Sequence, residues 1–422
     1  MKQSGIDWIG EIPDDWKINQ LSQIVSQVKN KNTGLKENNL LSLSYGKIKR
    51  KNINTNDGLL PASFDGYNII TDGDIVLRLT DLQNDHTSLR VGRATEQGII
   101  TSAYTTLHPV DYSNSKYLYY ILHSFDLKKG FYGMGSGVRQ GLNYDEVKTL
   151  KVPLPPKATQ QRIAEYLDSK CAQIDSIIEE SKKSIEDYKA WKQSVIFEAV
   201  TGKNLNCKKK DSGIEWIGEI PENYKLIRLK FLLKEKLQYG ANSSGIEFTS
   251  DLPRYIRITD IKDSKTLYDE NKLSLSEEDA KDYILDDNDI LFARSGATSG
   301  KCFIYKKEIG KATFAGYLIR AKIDETKLLP NFLVLYTMTK AYEEWKNQVC
   351  IQATIQNISA EKYVNLIVPV PSIHEQESIA KMLDSKCAQI DSLIAEKESL
   401  IADLTEYKKS LIFEVVTGKR SV

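Results

Sequence analysis

The sequence is poor in the residues that usually announce chemistry. Its 422 residues include five cysteines, Cys171, Cys207, Cys302, Cys350 and Cys387, with no C-x-x-C pair and an odd count. That pattern excludes a disulfide framework and a structural zinc site. Histidine is scarcer: His86, His108, His123 and His374 are scattered, and a solvated or capping role is expected of each. No stretch approaches the roughly 18 to 20 apolar residues of a membrane span, and the opening MKQSGIDWIGEIPDDW lacks the apolar run of a signal peptide. A soluble, cytoplasmic chain is expected. Neither sign of charge dominates, with 58 Lys and Arg against 57 Asp and Glu. Nucleic-acid binding would therefore require the basic side chains to be segregated onto one face. At 41% hydrophobic and 27% charged, the chain is neither disordered nor collagenous and is long enough for two or three domains.

Catalytic motifs are missing as well. SGATSGKC, Ser295 to Cys302, resembles a phosphate loop, but Gly296 and Gly300 enclose three residues where four are needed, and Cys302 replaces the magnesium-binding hydroxyl. It reads better as a turn between two strands. H-E-x-x-H, G-x-S-x-G and G-x-G-x-x-G do not occur. Carboxylates are plentiful, but nothing places a pair of them in a cleft. The chain is expected to be non-catalytic.

What is present is a duplication. SGIDWIGEIP, Ser4 to Pro13, recurs as SGIEWIGEIP, Ser212 to Pro221, after 208 residues. DSKCAQIDSII at Asp168 recurs as DSKCAQIDSLI at Asp384, after 216 residues. VTGK at Val200 returns at Val416, and VPLPP at Val152 returns as VPVPS at Val368. Between these blocks the copies diverge, although GDIVLRL at Gly73 still matches NDILFAR at Asn288, and YLYYIL at Tyr117 matches FLVLYT at Phe332. The first pair reads as strands and the second as helices, so each middle is a mixed α/β domain of about 130 to 150 residues. A shared scaffold with differing loops suits the recognition of two different things in one geometry.

Ala158 to Thr201 contains no Gly or Pro, and Ile163, Leu167, Cys171, Ile174, Ile178, Ser181, Ile185, Tyr188, Lys192, Val195 and Ala199 keep a three-four spacing. The second copy repeats the seam from Ile379 to Val415. Pro155, Pro156 and Pro371 mark the helix starts, and Gly202 and Gly418 the stops. Each helix would run about 65 Å, and its simplest partner is the other one, antiparallel about a pseudo-two-fold axis. That length matches roughly nineteen base pairs of duplex.

Candidate nucleic-acid contacts are donors interleaved with glycine. The first middle supplies Tyr45, Lys47, Lys49, Arg50 and Lys51, then Arg78, Arg90 and Arg93, then Arg139 and Gln140 in GMGSGVRQGLN. The second supplies Arg254, Arg257 and Thr259, then Arg294, Ser295 and Lys301, then Gln352 and Gln356. Arg and Gln can pair bidentately with guanine and adenine edges, and backbone amides beside glycine can approach phosphates. Each alone also reads as a solvated charge. The proposal of a DNA surface rests on the set.

The duplicated SGIxWIGEIP, the RQGLN stretch running into VPLPP, the TQQRIAEYLD and EQESIAKMLD helix starts and the VTGK endings together resemble the specificity subunits of type I restriction-modification systems, the HsdS family, over nearly the whole chain. The resemblance implies an α/β (α+β) chain in which two long antiparallel coiled-coil helices separate two target-recognition domains, each reading half of a bipartite DNA target, while helix length sets the spacer. On that reading, residues 1–19 are a lead-in repeat, 20–156 the first target-recognition domain and 157–203 the central long helix. Residues 204–226 are the linker with the second lead-in, 227–372 the second target-recognition domain and 373–419 the C-terminal long helix. The implied partners are double-stranded DNA, two methyltransferase subunits and, in a complete enzyme, two restriction subunits. S-adenosylmethionine, ATP and magnesium would reside on those partners, and this chain would hold no cofactor and no metal. Exposed helix faces and the Trp8 and Trp216 segments are the candidate docking surfaces for the methyltransferase subunits, with core packing the more expected role of the two tryptophan segments. The competing reading is a tandem α/β coiled-coil scaffold for protein or glycan ligands, and a weaker third is an enzyme with an unrecognised site.

Overall fold

The computed structural model of the chain describes residues 1–53, 61, 63–85, 87–134, 141–296, 298–350 and 357–422. Two compact units emerge, Met1–Lys182 with Glu398–Val422, and Lys183–Lys397. The repeated blocks build the same local structures in each.

In the first unit the lead-in folds back on itself. Lys2–Gln3 pairs antiparallel with Glu11–Ile12, and Ile6, Ile9 and Ile12 are buried. Lys17–Gln20 then pairs with Lys151–Leu154, the strand that delivers the chain to the first long helix. The central sheet is antiparallel: Thr105–Pro109 lies between Val25–Gln27 and Ile75–Leu77, and Val91–Arg93 forms the outer strand. The helix Ser115–Leu127 buries Tyr117, Leu118, Ile121 and Leu122 completely. Four such side chains contribute about 1.5–3 kcal/mol each relative to exposure.

The second unit repeats this plan. Lys209–Asp211 pairs with Glu219–Pro221, and Lys225–Arg228 with Ile367–Val370. Its central sheet has the same order, with Leu318–Ala321 between Gln238–Tyr239 and Ile290–Ala293, and Cys302–Ile304 outermost. The additional sheets differ. The first unit has the hairpin Leu41–Ser44 to Lys47–Arg50 and the pair Asn68–Ile70 with Gly98–Ile100. The second has four strands, Ile246–Glu247, Leu273–Ser274, Arg254–Ile256 and Ala312–Phe314, the last two parallel.

The long helices span Lys157–Thr201 and Ile373–Val416, and each contributes a segment to both units. In the first unit Ile163, Leu167, Cys171 and Ile174 share a core with Leu411, Ile412, Val415 and Val416. The two segments run antiparallel: the Tyr117 hydroxyl contacts the carbonyls of Pro153 at 2.8 Å and Val416 at 3.1 Å, while farther along Lys408 Nζ reaches Asp175 Oδ1 at 2.6 Å. In the second unit Ile196, Ala199 and Val200 share a core with Leu383 and Ile390, and Lys192 Nζ reaches Asp391 Oδ2 at 2.6 Å. Lys192 and Lys408 therefore sit on an apolar seam for a reason: each is half-buried with its ammonium paired to the aspartate of the facing helix.

Helix ends are handled alike in both copies. Buried Gln160 donates to the Pro155 carbonyl at 2.7 Å, and buried Gln376 to the Pro371 carbonyl at 3.0 Å. At the other ends Gly202 and Gly418 take φ of +69° and +73°, the left-handed turn that stops a helix. After the stop, Lys419 Nζ donates to the Ile9 carbonyl at 2.6 Å, and Lys203 lies against Gly218, the counterpart of Gly10. Each VTGK thus docks on a lead-in. Among the described residues no helix is long and apolar enough to cross a membrane.

Candidate nucleic-acid interface

The first unit presents a hairpin. Leu41 and Leu43 are buried and Ile48 packs on the same small core, so alternation turns Lys47 and Lys49 outward. The hairpin lies close over the outer strand, where a Cβ on Gly92 would meet Leu43 at 2.5 Å and Ile48 at 3.1 Å. Its two-residue turn is Tyr45-Gly46, with φ of +48° and +74°, a geometry that favours Asn-Gly or Gly-Gly. An aromatic residue is costly there, yet Tyr45 stands 81% exposed at the tip. Lys47 and Lys49 form no ion pair with the described residues, whereas Arg50 is held by Glu96, with Nε at 2.9 and 2.8 Å from its two oxygens.

The other basic residues divide by their commitments within the fold. Arg78, directly after the strand Ile75–Leu77, is half-buried and 3.6 Å from Asp85. Arg90 is fully buried and spends its guanidinium on the carbonyls of Arg78, Thr80, Asp81 and Asp85 and on the Tyr132 hydroxyl. It pins a loop and presents nothing outward. Lys301 holds the same place in the second unit, the residue before the outer strand, and its Nζ donates to the Ile261 carbonyl at 2.7 Å. Arg93 is bonded to Ser115 at 2.8 Å and paired with Asp72 at 3.2 Å. Arg254 is buried and donates to the Tyr268 carbonyl. Arg257 closes its own turn on Asp260 at 2.7 and 3.1 Å, which raises its pKa further and lets Thr259 stand exposed on that turn.

Arg294 differs from these. It follows the strand Ile290–Ala293, its guanidinium lies 4.8 Å over the ring of Tyr239, and its backbone N–H bonds the Tyr317 carbonyl. Its Nε is buried without a partner among the described residues, and the residue, half-buried, forms no ion pair with them. Tyr239 and Tyr317 are 39% and 65% exposed. Ser295 is half-buried and bridged to Asn357. Arg294 to Lys301 is indeed the connection between two antiparallel strands, Ile290–Ala293 and Cys302–Ile304. Arg139, Gln140, Gln352 and Gln356 lie outside the described residues. The chain resumes at matching places beyond them: Leu142 N–H bonds the Leu79 carbonyl at 2.9 Å and Ile358 N–H bonds the Arg294 carbonyl at 2.8 Å, each just past a central strand.

Residue-by-residue reading missed Tyr239 and Tyr317, because it searched for cations and these are aromatics on strand ends. It also passed over Lys29 and Lys31, which are exposed at the rim of a cavity of about 410 Å³ shared with Tyr104 and Tyr144. In each unit the candidate surface thus sets cations beside tyrosine, on a hairpin over the outer strand in the first and at the ends of central-sheet strands in the second. That combination supplies phosphate neutralisation, ring contacts and bidentate donors together.

The family model for the type I restriction modification DNA specificity domain matches the chain twice, over residues 13–187 and 206–401. The chain is 24% identical over 438 residues to the putative type I restriction enzyme MjaX specificity subunit of Methanocaldococcus jannaschii, covering 97% of this chain and 95% of that one. It is 27% identical over 280 residues to the type I restriction enzyme EcoBI specificity subunit of Escherichia coli, covering 64% of this chain and 58% of that protein's length. In fold it is similar to a chain from a structure describing complex assembly and conformational transition of the type I R-M system, with a TM-score of 0.74, 14% identity and coverage of 97% and 100%. It is also similar to the HsdS subunit from Thermoanaerobacter tengcongensis, with a TM-score of 0.55 at 12% identity over the whole of both chains. Matched in both of its halves, the chain belongs to the type I restriction modification DNA specificity domain family.

Proposed function

We propose that this chain is the DNA-recognition subunit of a type I restriction-modification enzyme, with residues 20–156 and 227–372 as two target-recognition domains that each read one half of a bipartite duplex. The observation that carries this reading is the duplication in three dimensions. Both units share a central sheet order, a strand pairing into the long helix and a VTGK docking. Around those shared sheets they carry different side chains, Tyr45 with Lys47 and Lys49 on a hairpin over the outer strand in one, and Arg294 with Tyr239 and Tyr317 at strand ends in the other. Matched scaffolds with different rims are what two unlike half-sites in one geometry require.

On this reading the exposed lysines neutralise phosphates and set register, while Arg294 and side chains near Arg78, Arg139 and Gln356 read base edges. The chain itself catalyses nothing and carries no cofactor. Two methyltransferase subunits, joined in the complete enzyme by two restriction subunits, bring the chemistry together with S-adenosylmethionine, ATP and magnesium. Exposed faces of the long helices dock the methyltransferase subunits, and helix length sets the unread spacer. The test is a map of methylated bases across the source genome with the gene intact and deleted. Loss of methylation at one bipartite motif is expected. Methylation unchanged at every motif, with the methyltransferase shown to be expressed, removes the proposal.

A further inference from the structure

The two copies supply an internal control for a cavity that the DNA reading does not use. In the first unit Asp168, Cys171 and Asp175 on the first long helix and Lys408 on the second frame a site filled by the helix Ser115–Leu127. Tyr120 donates its hydroxyl to Asp168 Oδ1 at 2.7 Å, and Lys116 holds Asp168 Oδ2 at 2.6 Å. Tyr119 packs on Tyr120 at 5.1 Å and stacks on His123 at 5.4 Å, leaving Cys171 buried.

The second unit keeps all four frame residues, as Asp384, Cys387, Asp391 and Lys192. Its equivalent helix, Pro330–Thr337 with the following Met338, replaces Tyr119, Tyr120 and His123 with Val334, Leu335 and Met338. The lost bulk leaves a cavity of about 530 Å³ over the same frame, within the range of ligand-binding pockets. Cys387 is only half-buried. Lys265 holds Asp384 Oδ1 at 2.9 Å and so takes the place of Lys116. Asp384 Oδ2 accepts no bond from the described residues, and this second oxygen is the counterpart of the one that receives the tyrosine hydroxyl in the first unit. The frame is retained, the apolar wall is retained, and only the phenol is missing.

We propose that this cavity is a receptor for a phenol ring, the side chain of a tyrosine carried by a partner protein, with its hydroxyl donating to Asp384 Oδ2. The first unit shows the occupant whose shape and hydrogen bonding the frame suits, a protein tyrosine. Asp384 is 54% exposed, so an aliphatic occupant would gain only the apolar wall and leave the carboxylate oxygen to water, whereas a phenol adds a hydrogen bond to a charged acceptor.

The test reads iodoacetamide alkylation of Cys387 by mass spectrometry in the full chain, with exposed Cys207 as internal reference and p-cresol as the probe. Protection follows occupancy, so p-cresol at about ten times its Kd slows Cys387 about tenfold and leaves Cys207 unchanged. Toluene, which lacks the hydroxyl, binds more weakly, by up to about tenfold. In Val334→Tyr/Leu335→Tyr/Met338→His, which restores the first unit's filling, p-cresol has no further effect, and in Asp384→Ala its advantage over toluene disappears. Equal alkylation with and without p-cresol overturns the proposal, as does p-cresol protection that survives in the filled variant. In the complex isolated with its partner subunits, Cys387 is alkylated about tenfold more slowly than in the free chain. If p-cresol protects the free chain but assembly does not, the occupant is a free phenol and the assignment to a partner's tyrosine fails. The p-cresol measurements do not depend on DNA recognition, so their failure and that of the proposed function are distinguishable.

Discussion

Arg294 is the described base-reading candidate that forms no ion pair with the described residues, and Tyr239 holds its guanidinium plane. On the proposed reading, Arg294→Ala costs about 1–3 kcal/mol of affinity and does so at one half-site only. Binding to duplexes altered one half at a time checks this, and an equal loss with respect to both halves contradicts it. Tyr45 offers a different test. Its φ of +48° suits asparagine better, so Tyr45→Asn leaves Tm unchanged or raised while weakening DNA binding. A lowered Tm with intact binding would show that the ring serves the fold. His123 sets an acid limit for the first unit: burial first, and Lys408 second, push its pKa down to about 4. The neutral ring's contribution is present above the ordinary value near 6.5 and is lost as pH falls toward 4, roughly 3 kcal/mol in all. Asp126, pushed up to about 6 by its own burial, acts in the opposite sense, favouring the folded state at low pH and losing that contribution as pH rises through 6. Thermal unfolding should therefore show a smaller fall in Tm from pH 7 to pH 5 in His123→Phe than in the parent chain.

At the scale of the element, a helix stop and a lead-in glycine separate backbone strain from packing. Gly202 has φ of +69° and a Cβ there would meet Pro221 at 2.5 Å, while Gly213 has φ of +68° and open space around it. Gly213→Ala should cost about 1 kcal/mol of stability through conformation alone, and Gly202→Ala about 1–3 kcal/mol more through overpacking. Denaturant titration of both variants reads the difference, and equal costs would mean that the docked lead-in simply moves aside. The stops at Gly202 and Gly418 were legible as Gly after an uninterrupted seam, and both helices were legible from three-four spacing, because a long amphipathic helix writes its buried face into the chain residue by residue. The Tyr45-Gly46 turn and the parallel strand pair of the second unit were not legible. A strained turn and a non-local pairing depend on neighbours distant in sequence.

For the whole molecule the proposal ties helix length to the target. Deleting a matched stretch of about seven residues, two helical turns, from both long helices should change the unread spacer and leave the two half-sites as they were, with methylated-base mapping as the readout. An altered half-site would contradict the assignment of reading to the two candidate surfaces.

The duplication, the seams, the stops and the family were present in the sequence alone, since each is carried by residues that repeat at a fixed offset or period. The fate of the individual cations was decided only by the tertiary structure. Arg90, Arg93, Arg254 and Lys301 look in the sequence like Lys47, Lys49 and Arg294, but the fold turns the first group onto its own carbonyls, carboxylates and hydroxyls. A guanidinium or ammonium satisfies its donors wherever acceptors converge. Which acceptors converge is settled by strands and loops brought together from across the chain.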